Sequence, residues 1–254
     1  MWRLVMAFLL ALLFLACESP MQKNTDKSDR DVSIGRTVIL VHGYARDSDD
    51  MKSLAKYLEK SGYRPVAVDL PLIFEHVEEA AEIFEKRVEI ILSDLAENES
   101  VAMVGHSTGG LVIRYFLSHS RNFKRVSHAV LIATPNQGSR LAGLAGQASE
   151  LLVETFATLD SLRPENIPKL GLCDPEETKT GAIAGNKSTL AVGRLLEKEN
   201  DGRVEVKSVF YPQLDDFIVV PYNHNKIHHQ KKTADLVISF LKFNSFSEID
   251  QSKN

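Results

Sequence analysis

Hydrophobic and polar positions follow two alternating rhythms along this chain. Arg36 to His42 (RTVILVH) is a nearly continuous, β-branched apolar run closed by Gly43, the pattern of a strand buried on both faces of a parallel sheet. In Asp50 to Ser61 the apolar positions Met51, Leu54, Ala55 and Leu58 recur at helical spacing, and Gly62 stands where a C-terminal cap belongs. A second strand is predicted over Arg64 to Leu70. Glu75 to Asn98 reads as a long amphipathic helix, with Val77, Ala80, Ala81, Phe84, Val88, Ile91, Leu92 and Leu95 on one face. Strand Ser100 to Gly105, helix Ser107 to Ser120, strands Val126 to Ala133, Thr180 to Gly185 and Asp216 to Pro221, and helix Lys231 to Phe243 complete the series. This alternation predicts right-handed βαβ crossovers and an α/β fold: an open, mostly parallel sheet with helices on both faces and function at the C-terminal strand ends. One stretch breaks the rhythm. Between Gly138 and Lys179, small and apolar residues alternate over Leu141 to Leu162, which predicts a cap insertion over about 139–179.

Composition narrows the picture. At 254 residues and 44% hydrophobic content the chain can bury one full core, placed at 36–245 and followed by a polar tail over 246–254. Charged residues make up 25%, both signs are interspersed, and the net charge is −4, so no basic surface points to nucleic acid or anionic lipid. Residues 1–16 (MWRLVMAFLLALLFLA) have one arginine and then an apolar run of signal-peptide length, too short for a comfortable membrane span. The run ends Phe14-Leu15-Ala16-Cys17, which resembles a bacterial lipobox; that resemblance implies acylation of Cys17 and anchoring to a membrane. Ordinary cleavage after a small residue, giving a periplasmic or secreted protein, and an uncleaved anchor are the alternatives. Residues 17–35 are polar and aperiodic, as a flexible tether would be. With Cys17 lipidated, Cys17 and Cys173 do not pair.

The candidate chemistry centres on Gly105-His106-Ser107-Thr108-Gly109, a G-x-S-x-G run between a predicted strand and a predicted helix. A strand turning sharply into a helix holds the serine in a strained conformation, and glycines avoid collisions across the turn. The helix N-terminus faces the negative charge that develops during acyl transfer. Ser107 is therefore the candidate nucleophile. The backbone N–H groups of Tyr44, after the first strand, and of Thr108 are the candidate oxyanion hole. His42 reads as a strand-end structural residue, and His106 as pointing away from Ser107.

With those residues in hand, the chain resembles the bacterial lipase and esterase branch of the α/β-hydrolase superfamily over about Thr37 to Leu241. The resemblance rests on VHGYARDSDDM, GHSTGGLVIRY, ATPNQGS, and NDGRVEV followed by DFIVVPYNH. ATPNQGS departs from the family's TPH-x-GS element by Asn136 in place of histidine. Chain order in this fold is Ser, acid, His. The resemblance implies His224 as base, with His228 and His229 as rivals, and Asp201 as the acid, ahead of Asp174, Asp215 and Asp216. An Asn200-Asp201-Gly202 run is equally an ordinary turn.

Together these residues imply a serine hydrolase that cleaves carboxylic esters of small-molecule or lipid substrates through an acyl-enzyme, with neither metal nor organic cofactor. An acyltransferase using the same triad on an envelope lipid is the alternative, and a non-catalytic binding protein is a third reading. Leu141, Leu144, Leu151, Leu152, Val153 and Phe156 of the insertion either form an acyl-binding wall or lid, or simply pack on the sheet.

Overall fold

The structure is a computed structural model that describes residues 35–189 and 191–247. Cys17, the candidate lipidation site, and the preceding apolar run lie outside the described residues. Six strands form one parallel sheet: β1 (Thr37–Val41), β2 (Arg64–Val68), β3 (Val101–His106), β4 (Val126–Ile132), β5 (Lys179–Gly185) and β6 (Asp216–Val220), in the spatial order β2-β1-β3-β4-β5-β6. The fold class is the expected open parallel α/β sheet.

Side chains on the central strands split by parity between two cores, as the two-residue period of a strand requires. Ile39, Val41, Met103, Ala129 and Leu131 face α2 (Val77–Ser93) and α3 (Thr108–His119). Val38, Leu40, Ala102, Val104, Val130 and Ile132 face α1 (Lys52–Lys60) and the C-terminal helix Lys231–Phe243. With both faces covered, β1 can be hydrophobic at every position, which is why it reads as an unbroken apolar run. Edge strands β2 and β6 are only partly buried, and the edge tolerates Pro65 in β2, where a missing N–H leaves no ladder bond unmade. Phe84 of α2 meets Phe116 of α3 edge to face, with ring centroids 5.4 Å apart.

Element existence follows the sequence pattern and the ends move. The helix predicted from Asp50 opens as a 3-10 turn over Ser48–Met51, where the Asp47 carboxylate accepts from the Asp49 N–H. The long helix runs Val77–Ser93, shorter than the apolar face suggested at both ends. Residues 139–179 hold three short helices, α4 (Arg140–Ala148), α5 (Glu150–Thr155) and α6 (Ala157–Ser161), and a 3-10 turn over Ile167–Leu170. This stretch is tied to the N-terminus of α2: the Ser161 hydroxyl accepts from the Val77 N–H at 3.1 Å, and the Thr158 hydroxyl donates to the Glu75 carbonyl at 2.6 Å. A short helix, α7 (Val206–Val209), precedes β6, and α8 is the closing helix Lys231–Phe243.

The ordered core reaches past the expected boundary at 245. Phe246 is fully buried against Phe240 of α8 at 4.9 Å, and its N–H donates to the Asp216 carboxylate at 2.6 Å. A lone aromatic in a polar run carries no periodicity, so the pattern alone assigned it to the tail. Among the described residues no helix is long and apolar enough to cross a membrane.

Candidate active site

Every candidate residue falls beyond the C-terminal end of a strand: Tyr44 after β1, Ser107 after β3, Asp201 in the segment after β5 and His224 after β6. At this edge backbone strain is concentrated. Ala45 (φ 54°), Ser107 (φ 54°) and Ala133 (φ 52°), after β1, β3 and β4, are three of the four non-glycine residues with positive φ among the described residues. Such conformations cost on the order of 1–3 kcal/mol each and persist only where the surroundings enforce them. At Ser107 the enforcement is close packing. A Cβ on Gly105 would lie 2.5 Å from the Gly110 nitrogen, and one on Gly109 would lie 2.3 Å from the His42 carbonyl oxygen. Only glycine permits the helix to start so near the strands.

Ser107, Asp201 and His224, separated widely along the chain, form one buried hydrogen-bonded series. The Ser107 hydroxyl donates to His224 Nε2 at 2.9 Å, and His224 Nδ1–H donates to Asp201 Oδ2 at 2.7 Å. Asp201 is fully buried, and its other oxygen, Oδ1, accepts the backbone N–H groups of Arg203 (2.9 Å) and Val204 (2.8 Å). The Asn200-Asp201-Gly202 run is thus both a turn and a carboxylate holder. Gly202 takes φ +98° to close it, Asn200 Oδ1 accepts from the Gly202 N–H, and the Asp201 carbonyl accepts the His224 N–H at 2.9 Å. That last bond fixes the His224 loop directly to the Asp201 loop.

The rival residues are engaged elsewhere. Asp215 accepts from the Thr180 N–H and Asp216 from the Phe246 N–H, both near strand starts, at the opposite end of the sheet from Ser107. Asp174 forms a buried ion pair with Arg114 at 3.1 Å. Arg114 also donates to Asn136 Oδ1, lies 3.9 Å over the Tyr211 ring, and so binds α3 to the loop after β4. Asn136, the departure from the family's histidine, donates in turn to the Val209 carbonyl at 2.7 Å, so the substituted position has a complete hydrogen-bonding role of its own.

His42 serves the strand end: Nε2 accepts from the Leu70 N–H at 3.0 Å and Nδ1–H donates to the Gly43 carbonyl at 2.9 Å. His106 turns away from Ser107 but still braces the His224 loop, because its Nε2–H donates to the His224 carbonyl at 3.0 Å. Its ring stacks on His228 at 3.8 Å, and His228 Nε2 lies 3.1 Å from Asp50 Oδ2. Burial, with His228 and His224 beside it, holds His106 well below the usual histidine range and therefore neutral. Asp50, His106 and His228 are also the one group of potential metal ligands with mutually close donor atoms among the described residues. Stacked rings carry their in-plane lone pairs side by side rather than converging, so tetrahedral ligation would require both rings to turn. Sequence reading missed this group because its members come from three separate segments with no spacing signature.

Beside Ser107 and His224 opens a cavity of about 490 Å³. Its walls include Tyr44, Pro135, Leu141, Ala142, Ala145, Leu159, Leu162, Val192, Arg203 and Val204. Of the insertion residues singled out in the sequence, Leu141 lines the cavity while half-buried; Ala142 and Leu162 line it as well and belong to the core. Leu151 is instead exposed, Leu144 is not part of the wall, and Phe156 stacks on Phe74 at 5.8 Å. The side chains of Leu152 and Val153 lie outside the described set. Thr108 opens α3, where a helix leaves its first N–H groups without intrahelical partners, and Tyr44 borders the same cavity.

Comparison with known proteins came to the same architecture. The family model described as alpha/beta hydrolase fold matches residues 36–166. Lipase BlEst2 of Bacillus licheniformis superimposes in its propeptide form with a TM-score of 0.73 at 22% identity, over 82% of this chain and 50% of that one. Its mature form gives 0.69 at 21% identity over 81% and 90%. The metagenomic carboxyl esterase MGS0156 gives 0.60 at 20% identity over 76% and 65%. At these identities the likeness shows the fold alone. In sequence, the chain is 33% identical over 104 residues to the Arabidopsis thaliana protein named "Putative methylesterase 14, chloroplastic", a match that covers 39% of this chain and 29% of that relative.

Proposed function

The chain belongs to the alpha/beta hydrolase fold family, and from that premise we propose that it is a carboxylester hydrolase acting through Ser107, His224 and Asp201. The observation that carries the reading is the hydrogen-bonded series from Ser107 Oγ through His224 to Asp201, with links of 2.9 and 2.7 Å, at the edge of an apolar cavity. His224 Nε2 takes the Ser107 proton as Oγ attacks the ester carbonyl. The C–O bond to the alcohol then breaks, the alcohol leaves with the proton returned by His224, and the acyl group stays on Ser107. Water, deprotonated by His224, releases the free acid by the reverse sequence. Two backbone N–H groups hold Asp201 Oδ1, while Oδ2 orients the imidazole and stabilises its cation. The N–H groups of Tyr44 and Thr108 receive the tetrahedral oxyanion, a contribution of about 3 kcal/mol per donor in comparable sites. Aliphatic walls suit an apolar acyl or alcohol group.

A fluorophosphonate probe tests this reading, since it phosphonylates only an activated serine. Labelling and release of acid from 4-nitrophenyl esters both disappear in Ser107→Ala, and labelling slows severely in His224→Ala. Undiminished labelling of Ser107→Ala overturns the assignment. From the lipobox resemblance we propose further that Cys17 is the lipidated first residue of an exported, membrane-anchored protein. Mass analysis of the mature N-terminus is expected to find an acylated cysteine, and an unmodified Cys17 or a different first residue refutes it.

A further inference from the structure

We propose that Arg203 and Tyr44 form a subsite for an anionic oxygen group, a carboxylate or a phosphate, carried by the ester substrate; this deepens, and rests on, the hydrolase reading above. The cavity beside Ser107 is walled by Leu141, Ala142, Leu159, Leu162 and Val192, and Arg203 is the one permanently charged residue on its described lining. Arg203 is only partly exposed among these aliphatic side chains, which offer a guanidinium nothing in exchange for lost hydration. Other arginines among the described residues that are buried or half-buried are satisfied: Arg114 by Asp174, Arg163 by Asp160 and Glu165, and Arg125 by the Glu99 and Ala96 carbonyls. Among the described residues Arg203 has no ion-pair partner and its side chain donates no hydrogen bond.

The neighbouring carboxylates are committed to other donors. Asp201 holds His224 through one oxygen and two backbone N–H groups, including that of Arg203 itself, through the other. Glu205 accepts from the Glu197 N–H. The backbone of Arg203 is therefore locked to the acid of the candidate triad, and the residue lines the cavity. Tyr44 lines the same cavity, and its phenol feels the Arg203 charge: burial pushes its ionisation up, and Arg203 opposes that rise. It stays a neutral hydroxyl donor. A planar guanidinium with a hydroxyl beside it matches the two or three acceptor oxygens of a carboxylate or phosphate. The partly desolvated wall strengthens that attraction relative to open water. A neutral alkyl ester would use only the aliphatic wall and would leave Arg203 unpaired.

The test uses matched esters that differ only in charge. On the acyl side, 4-nitrophenyl hexanoate is compared with mono-4-nitrophenyl adipate, which carries a carboxylate where hexanoate has its terminal methyl. On the alcohol side, phenyl hexanoate is compared with its 4-carboxy and 4-phosphono derivatives, which separate a carboxylate source from a phosphate source. The readout is the ratio of kcat/KM for the anionic ester to that for its neutral partner, measured within each protein so that differences in active fraction cancel. In the wild type the ratio exceeds 1 in at least one pair. Arg203→Gln lowers it by about 10- to 100-fold, the range of a charge-assisted hydrogen bond, mainly through KM. Arg203→Glu reverses the preference, and Tyr44→Phe, which keeps the backbone N–H, lowers the ratio by a smaller factor. A ratio equal in wild type and Arg203→Gln for every pair overturns the subsite. Calorimetric binding of adipate monoamide against hexanamide to Ser107→Ala protein, a pair in which only the first carries a carboxylate, reads the subsite without turnover. Arg203-dependent binding of adipate monoamide, with no ester hydrolysed by the wild type, keeps the subsite and refutes the hydrolase reading; equal binding of the two amides, with or without hydrolysis, refutes the subsite.

Discussion

Asp201 illustrates how one carboxylate can be specified twice. Its Oδ1 is filled by two backbone N–H donors, so an asparagine placed there keeps its own oxygen on that side and turns its amide nitrogen toward His224 Nδ1. The imidazole must then accept at Nδ1 and carry its proton on Nε2, the nitrogen that has to receive the Ser107 proton. Asp201→Asn is expected to lower kcat by roughly 10³- to 10⁴-fold, the loss seen when a triad histidine is forced into the wrong tautomer. The thermal midpoint should stay close to that of the wild type. Steady-state kinetics beside a melting curve checks this, and a loss smaller than tenfold would deny Asp201 the orienting role. The residue was legible as an NDG turn, and the turn chemistry proved to be what holds the carboxylate. That Oδ2 meets a histidine 23 positions away depended on the His224 N–H to Asp201 carbonyl bond, which no local pattern announces.

Among the elements, strands and helices were legible wherever their period was strong and their burial two-sided. β1 and β3 read clearly because both of their faces are covered, and α2 because its apolar positions repeat through seventeen residues. Helices α5 and α6 of residues 139–179 did not, since five or six residues span little more than one turn and carry too few apolar positions to define a face. The segment after α8 was misassigned for a related reason: Phe246 is a single residue whose burial is decided by Phe240 and the edge strand β6. Phe246→Ala should cost about 3–5 kcal/mol of unfolding free energy, as removal of a buried phenylalanine does. Urea denaturation gives the measurement, and a cost below 1 kcal/mol would return this residue to the tail.

For the whole molecule, buried histidines set the pH response. Burial is the leading cause that lowers the proton affinity of His106, His128 and His229. Each therefore binds a proton more readily in the unfolded chain than in the folded one. Their contribution to stability is complete above the ordinary histidine value of about 6.5 and is lost as pH falls below it toward the folded values. Asp50, whose burial is outweighed by His228, His229 and Arg46, adds a loss of the same sign at lower pH, below the ordinary carboxylate range. The urea midpoint should therefore fall between pH 7.5 and pH 5, and His106→Gln should flatten that slope. A midpoint that rises over this interval would contradict the burial of these groups as neutral imidazoles.

What the sequence determined by itself were the features written in neighbouring residues: the order of strands and helices, and the Gly105 to Gly109 turn that presents Ser107. These follow from periods of 2 and 3.6 residues and from steric limits on a tight turn, all of which act over a few residues. Tertiary structure alone decided which distant groups meet. Ser107 and His224 are 117 positions apart and become neighbours because β3 and β6 end at the same edge of one parallel sheet. The same convergence stacks His106 on His228 beside Asp50, closes aliphatic walls from the insertion around the cavity, and sets Arg203 in its lining. Hydrophobic burial and parallel pairing act across the whole sheet, so their result is a geometry that no window of the sequence contains.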